Sequence, residues 1–329
     1  MASPELLRRL KTSRRPIAPK SPETYASRLS ILRIRGIPGQ KRLPPTPGPA
    51  LSSFALTIVL AAAVMHASWN ALVKNASDRA LTLAAVASMH AVGGAFLIAV
   101  SDPPAPASWP PVIVSTLIHY LYYFLLFQAY RLGDLSQVYP ISRGLAPALV
   151  AFGAYIAVGE TLPPLGWAGL AAISLGIGML ALQRGAAHAD PRAVGVAGLL
   201  GLTIASYSVA DGLGVRFSQS PTGYMGWLFL FEAPVVLAVL GPRIVRRHHI
   251  DLKVFGIGLI GGALSVAAYG IALYAKTIAP IGAVSAVRES SVIIAALIGL
   301  FIFGERPWLG RILSAAVVAA GVVALAFAG

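Results

Sequence analysis

Two stretches of this chain carry an arginine at the same place inside an apolar run. Residues 135–166 read LSQVYPISRGLAPALVAFGAYIAVGETLPPLG, and residues 281–311 read IGAVSAVRESSVIIAALIGLFIFGERPWLGR. A shift of 145 carries Arg143 onto Arg288, Gly159 onto Gly304 and Glu160 onto Glu305. Placing an arginine at the centre of a membrane helix costs about 2.5–3.5 kcal/mol on insertion scales. Meeting the same one twice in register therefore points to internal duplication, which sets the architecture of a chain.

The duplicated runs are two of ten. A spanning helix needs about 20 mostly apolar residues to cross about 30 Å of hydrocarbon. Such segments occur near 54–74, 80–100, 112–131, 136–158 and 165–182, and again near 193–215, 223–240, 254–276, 281–303 and 308–328. Hydrophobic residues make up 57% of the chain and charged ones 12%, about half the charge usual for a soluble domain. The sequence thus predicts an all-α, multi-pass membrane protein. A second echo supports the division into halves 54–182 and 193–328: HASWN at 66–70 is matched by IASYS at 204–208, 138 residues on. Five spans is an odd number, so the second half enters from the opposite face. The expected architecture is two inverted five-helix repeats, typical of secondary transporters.

The net charge of +14 is unevenly spread. Residues 1–50 hold 11 of the 26 Lys+Arg and only 2 of the 12 Asp+Glu. This Arg-, Pro- and Ser-rich stretch reads as a basic, disordered tail. It lacks interleaved aromatics beyond Tyr25, which argues against nucleic acid as a partner. Loop charges give conflicting orientations: without the tail they place the N-terminus outside, and with it they nearly balance. The chain has no cysteine, which excludes disulfides and thiolate chemistry.

Ten spans in two halves, each with a fourth helix closing on Gly-Glu before a proline-containing turn, resemble the drug/metabolite transporter superfamily, EamA type. HASWNALVK at 66–74 and YSVADGLGVR at 207–216 are similar to a bacterial subgroup linked to phosphonate utilisation. The resemblance implies a bacterial inner-membrane carrier of small metabolites that works without ATP. It implies no cofactor, and both termini in the cytoplasm.

Candidate site residues follow from cost. Arg143 and Arg288 each lie seven residues past a helix start, about 10 Å deep at 1.5 Å per residue. They are expected to flank a central site as anion ligands or gates, unless they snorkel to the headgroups. Trp69, Asn70, Tyr120, Tyr123, Tyr139 and Tyr207 are candidates to line the substrate pocket, or else to pack or anchor in the interface. Glu232, Asp211, Glu289 and His66 are candidates for proton coupling, or else structural interhelical contacts; His90 and His119 share that reading. Glu289 adjoins Arg288, and neighbours on a helix point about 100° apart, so each is expected to need a partner elsewhere. Glu160 and Glu305 read as structural acids at the start of the next helix. Pro140, Pro147 and Pro234 are candidate hinges. Gly256-Ile-Gly258-Leu-Ile-Gly261 matches GxGxxG but lies in a membrane helix with no strand before it, so a dinucleotide site is excluded. No metal-binding spacing is present. Small residues in the fifth span (Ala172, Gly176) and tenth (Ala316, Ala320) allow close packing, within the chain or in a homodimer. The expected function is secondary transport of an anionic or zwitterionic metabolite. A polytopic enzyme or a membrane sensor or scaffold are the alternatives.

Overall fold

The structure, a computed structural model, describes residues 51–74, 76–132, 135–183, 190–247, 249–301 and 308–328. The basic tail, Glu305 and His248 fall outside them, as does the side chain of Tyr139. All ten apolar runs are helical, and no strand occurs among the described residues. In hydrocarbon every backbone polar group must be satisfied within the chain, and a helix does this locally. The first half holds α1 (Ser53–Lys74), α2 (Arg79–Val100), α3 (Trp109–Leu132), α4 (Leu135–Val158) and α5 (Pro164–Gln183). The second holds α6 (Pro191–Phe217), α7 (Pro221–Leu230), α8 (Ala233–Val245), α9 (Leu252–Ile278), α10 (Ile281–Glu289), α11 (Ser291–Phe301) and α12 (Trp308–Ala326).

Helix starts follow ordinary capping chemistry. Asp78, Asp190, Ser220 and Asp251 each accept an otherwise orphaned backbone N–H in the first turn of α2, α6, α7 and α9. Two spans expected to be continuous are broken. The seventh divides into α7 and α8 at Phe231–Glu232. Pro234 explains this, because it has no N–H for the carbonyl of Leu230 and its ring crowds that turn. The ninth divides into α10 and α11 at Ser290, with no proline in the span. By contrast α4 runs unbroken through both Pro140 and Pro147.

Packing pairs helices across the two halves. α1 lies against α9, α10 and α11, while α6 lies against α3 and α4. α2 packs on α7, α4 on α10, and α5 on α12. Exchanging the first five spans for the last five maps these pairings onto one another. Glycines permit the closest approaches. A Cβ on Gly169 of α5 would lie 2.6 Å from the Gly321 carbonyl of α12. Gly176 makes a further close contact along that seam, against Val318. The GxGxxG stretch does the same work: Gly258 of α9 faces Ala85 and Thr82 of α2. The ninth span is 78% buried and the other nine between 11% and 50%, so α10 and α11 form the centre of the bundle. Large apolar side chains such as Phe96, Leu117, Ile156 and Leu237 point outward, as a lipid-facing surface requires.

Candidate functional site

At this centre the two arginines meet. Arg143 of α4 and Arg288 of α10 are each only 4% exposed, so neither reaches for the headgroups. Arg143 Nη1 donates to both oxygens of Glu289, at 3.0 and 3.1 Å. Arg288 Nη2 donates to Glu289 Oε1 at 3.1 Å. Both guanidiniums thus converge on one carboxylate. The expectation that Arg288 and Glu289 do not pair directly is corrected. Glu289 is the last residue of α10, and Ser290 N–H bonds back to Val287 at the break. The 100° rule holds within a regular helix and lapses where the helix ends. Counted by themselves these three groups carry a net charge of +1, and Asp211 is a further buried acid reached from Arg288 through Tyr269.

Around this triad sits an aromatic wall. Arg288 lies over the Tyr269 ring, its Cζ 5.5 Å from the centroid, a favourable cation–π position. Tyr207 stacks on His119, with ring centroids 4.1 Å apart, and stands edge-on to Tyr122 and Tyr269. From α1, Trp69 Nε1–H donates to His66 Nδ1 at 3.2 Å. The other ring nitrogen, Nε2, is buried with no partner among the described residues. Asn70 turns back onto the carbonyl of His66 and orients that turn of helix.

Asp211 and Glu232, grouped with Glu289 at the outset, occupy separate clusters. Asp211 is fully buried; Tyr224 OH donates to its Oδ1 at 3.0 Å and Tyr269 OH to its Oδ2. Glu232 sits at the break between α7 and α8, where His90 Nδ1 lies 3.0 Å and Tyr123 OH 3.1 Å from its Oε2. Tyr120 OH donates to the Phe231 carbonyl at 2.5 Å, satisfying an acceptor that the break leaves open. Tyr120 and Tyr123 therefore share a face, as their spacing predicts.

Glu160 is structural, but its target differs from the expected one. It does not cap the following helix, α5. Its Oε2 accepts the N–H of Ile281, at the start of α10, at 2.8 Å. Its Oε1 pairs with Arg216 Nη1. Arg216 also donates to the carbonyls of Lys276 and Ala279, at 2.6 and 2.9 Å. One acid from the first half thus ties the ends of α6 and α9 to the start of the ninth span.

Sequence reasoning missed Tyr122, Tyr269 and Lys276. Tyr269 carried no repeat signal. Lys276 and Arg216 look like loop cations at helix ends, yet they are 1% exposed as a residue and 6% exposed as a side chain, respectively. Among the described residues no group of three His, Cys, Asp or Glu is placed to hold a metal ion.

The sequence pattern of the EamA-like transporter family matches residues 53–182, from the start of α1 to the end of α5. Over that stretch the chain is similar to this family of membrane transporters. The fold agrees over a longer stretch. A solved structure titled "Crystal structure of protein" superposes with a TM-score of 0.65 at 17% identity, over 84% of this chain and 99% of that one. A comparison with curated proteins returned no match. The EamA-like half supplies Arg143, His66, His119 and Glu160, and the remaining half supplies Arg288, Glu289 and Lys276. The buried triad therefore joins the EamA-like half to the other half rather than lying within either.

Proposed function

We propose that this chain is a secondary transporter of a small anionic or zwitterionic metabolite in a bacterial inner membrane. One inverted half rocks against the other around a central site, in alternating access. One observation carries the reading: Arg143 and Arg288, one from each half, share the single carboxylate of Glu289. That arrangement sets two guanidiniums against one carboxylate, and such a pair of cations suits an anionic or carboxylate-bearing solute. It also lies beside a discontinuous helix, where transporter sites are commonly built. The cation–π wall of Tyr269 and the stacked Tyr207–His119 pair suit the organic part of a solute. His66 Nε2 offers it a further polar contact. Transport is coupled to protons, exchanged within this same polar core.

Counterflow in proteoliposomes tests this. The probes are radiolabelled alanine, succinate and methylphosphonate, which represent a zwitterion, a dicarboxylate and a phosphonate. At least one is expected to exchange, and the double variant Arg143→Gln, Arg288→Gln to lose at least about tenfold of that rate, equivalent to ~1.4 kcal/mol. Equal exchange by a double variant that reaches the membrane normally would end the arginine reading. An enzyme or scaffold would move none of the probes.

A further inference from the structure

The buried carboxylates of the core are all engaged. Glu289 holds two guanidiniums, Asp211 two tyrosine hydroxyls, Glu232 the His90–Tyr123 pair, and Glu160 an arginine and a backbone N–H. Lys276 of α9 differs. It is 1% exposed, and its Nζ makes one hydrogen bond among the described residues, to the neutral backbone carbonyl of Ser208 at 2.9 Å. An ammonium has three N–H donors. The hydroxyl of Ser208 is itself buried without a partner. Asp211 is one turn further along α6, but its oxygens are already taken by Tyr224 and Tyr269.

The charged groups facing Lys276 come from both neighbouring walls. α10 presents Arg288 and Glu289, and α6 presents Asp211 and Arg216. On α9 itself Tyr269 runs from Asp211 to the face of Arg288. The other helices packed on α9 contribute Tyr224 from α7, committed to Asp211, His66 from α1 and His90 from α2, the last committed to Glu232. An arginine keeps its proton in any protein environment, whereas a buried lysine can give its proton up. Among the described lysines and arginines of this core, Lys276 is thus the one that can change charge, and Arg288 is among the charges that act on it.

We propose that Lys276 gains and loses the coupled proton, taking it up on Nζ as an anionic group settles on Arg143 and Arg288 and releasing it when that group leaves. This rests on the transport reading above. The step balances simply: a proton from water on one side joins the Nζ lone pair and departs to water on the other. Proton and anion bind together because each offsets the charge of the other, and such linkage is reciprocal. A monoanion and a proton then cross as a neutral pair.

Two measurements test the proposal on the full chain. The sequence has six lysines, so ¹³Cε-lysine labelling in nanodiscs gives few signals, and Lys276→Arg identifies the one that belongs to Lys276. That signal is expected to titrate across neutral pH while the others stay in the ammonium position. A Lys276 signal fixed as ammonium throughout would overturn the proposal whether or not any solute is carried. In proteoliposomes, the ratio of pH-gradient-driven uptake to counterflow is expected to fall at least about tenfold in both Lys276→Gln and Lys276→Arg. The probes are alanine, succinate and methylphosphonate again. A ratio that survives in these variants but falls in Glu232→Gln would overturn it too. If wild type shows no counterflow of any probe, the transport reading fails, and the labelled-lysine titration still decides whether Lys276 exchanges its proton.

Discussion

α4 and the α10–α11 pair carry an arginine at matching places, and they are built differently. α4 contains two prolines and does not break; the ninth span contains none and breaks at Ser290. Position 289 is a glutamate, and its counterpart 145 residues earlier is Gly144. There α4 packs on α5, and a Cβ would already sit 3.4 Å from the backbone of Ser174 and Gly178. The carboxylate that both arginines share comes from the second half. The cations stand in register along the sequence, and the acid beside one of them does not recur beside the other.

The largest effect should come from removing what the two copies share. Glu289→Ala leaves two guanidiniums buried without their anion, and is expected to cost about 3–5 kcal/mol of stability, read as an earlier thermal unfolding of the purified protein. Removing either arginine sharpens the contrast. Either variant leaves the other guanidinium on the carboxylate, so each should cost less than Glu289→Ala, about 1–3 kcal/mol by the same assay, with Arg143→Gln, which loses two bonds, above Arg288→Gln, which loses one. Equal costs would mean that the carboxylate treats the copies alike.

An exposed ion pair between the halves provides a smaller control. Asp78 caps α2 and meets Arg243 of α8 at 3.0 Å, with its side chain 41% exposed. Slight burial raises its carboxyl, but the Leu81 N–H and Arg243 outweigh this and hold it below its ordinary 3.8. A lowered folded value means the contribution is present above the unfolded value and is lost as pH falls through the folded one. Asp78→Ala should therefore cost about 1 kcal/mol near neutrality, chiefly as a lost cap. Its stability curve should approach that of wild type as pH falls through the folded value of Asp78. The smallest effect is expected at Pro147→Ala, within about 1 kcal/mol, because α4 already runs straight through that residue. A large change there would revive its role as a hinge.

Much of this molecule was legible from its residues. Length and hydropathy specify ten spans because hydrocarbon accepts few alternatives to a helix. The cost of burying an arginine singled out Arg143 and Arg288, and the tyrosine spacing in α3 put Tyr120 and Tyr123 on one face. What stayed hidden depended on contacts between helices far apart in sequence. Periodicity describes a regular helix, so it excluded the Arg288–Glu289 contact that a helix end allows. Loop-charge counting set Lys276 and Arg216 outside the core, since nothing local shows that α6, α9 and α10 close over them.

The residues alone, then, specify a helical membrane protein of ten spans with a costly cation at matching places in two of them. Those properties follow from transfer free energy and helix geometry, which act residue by residue. Contacts across the bundle decide that both cations share one acid, that Glu160 ties down the ninth span, and that Lys276 is buried against a neutral carbonyl. These are matters of which side chains face each other across the bundle, and helix packing settles that rather than any local preference.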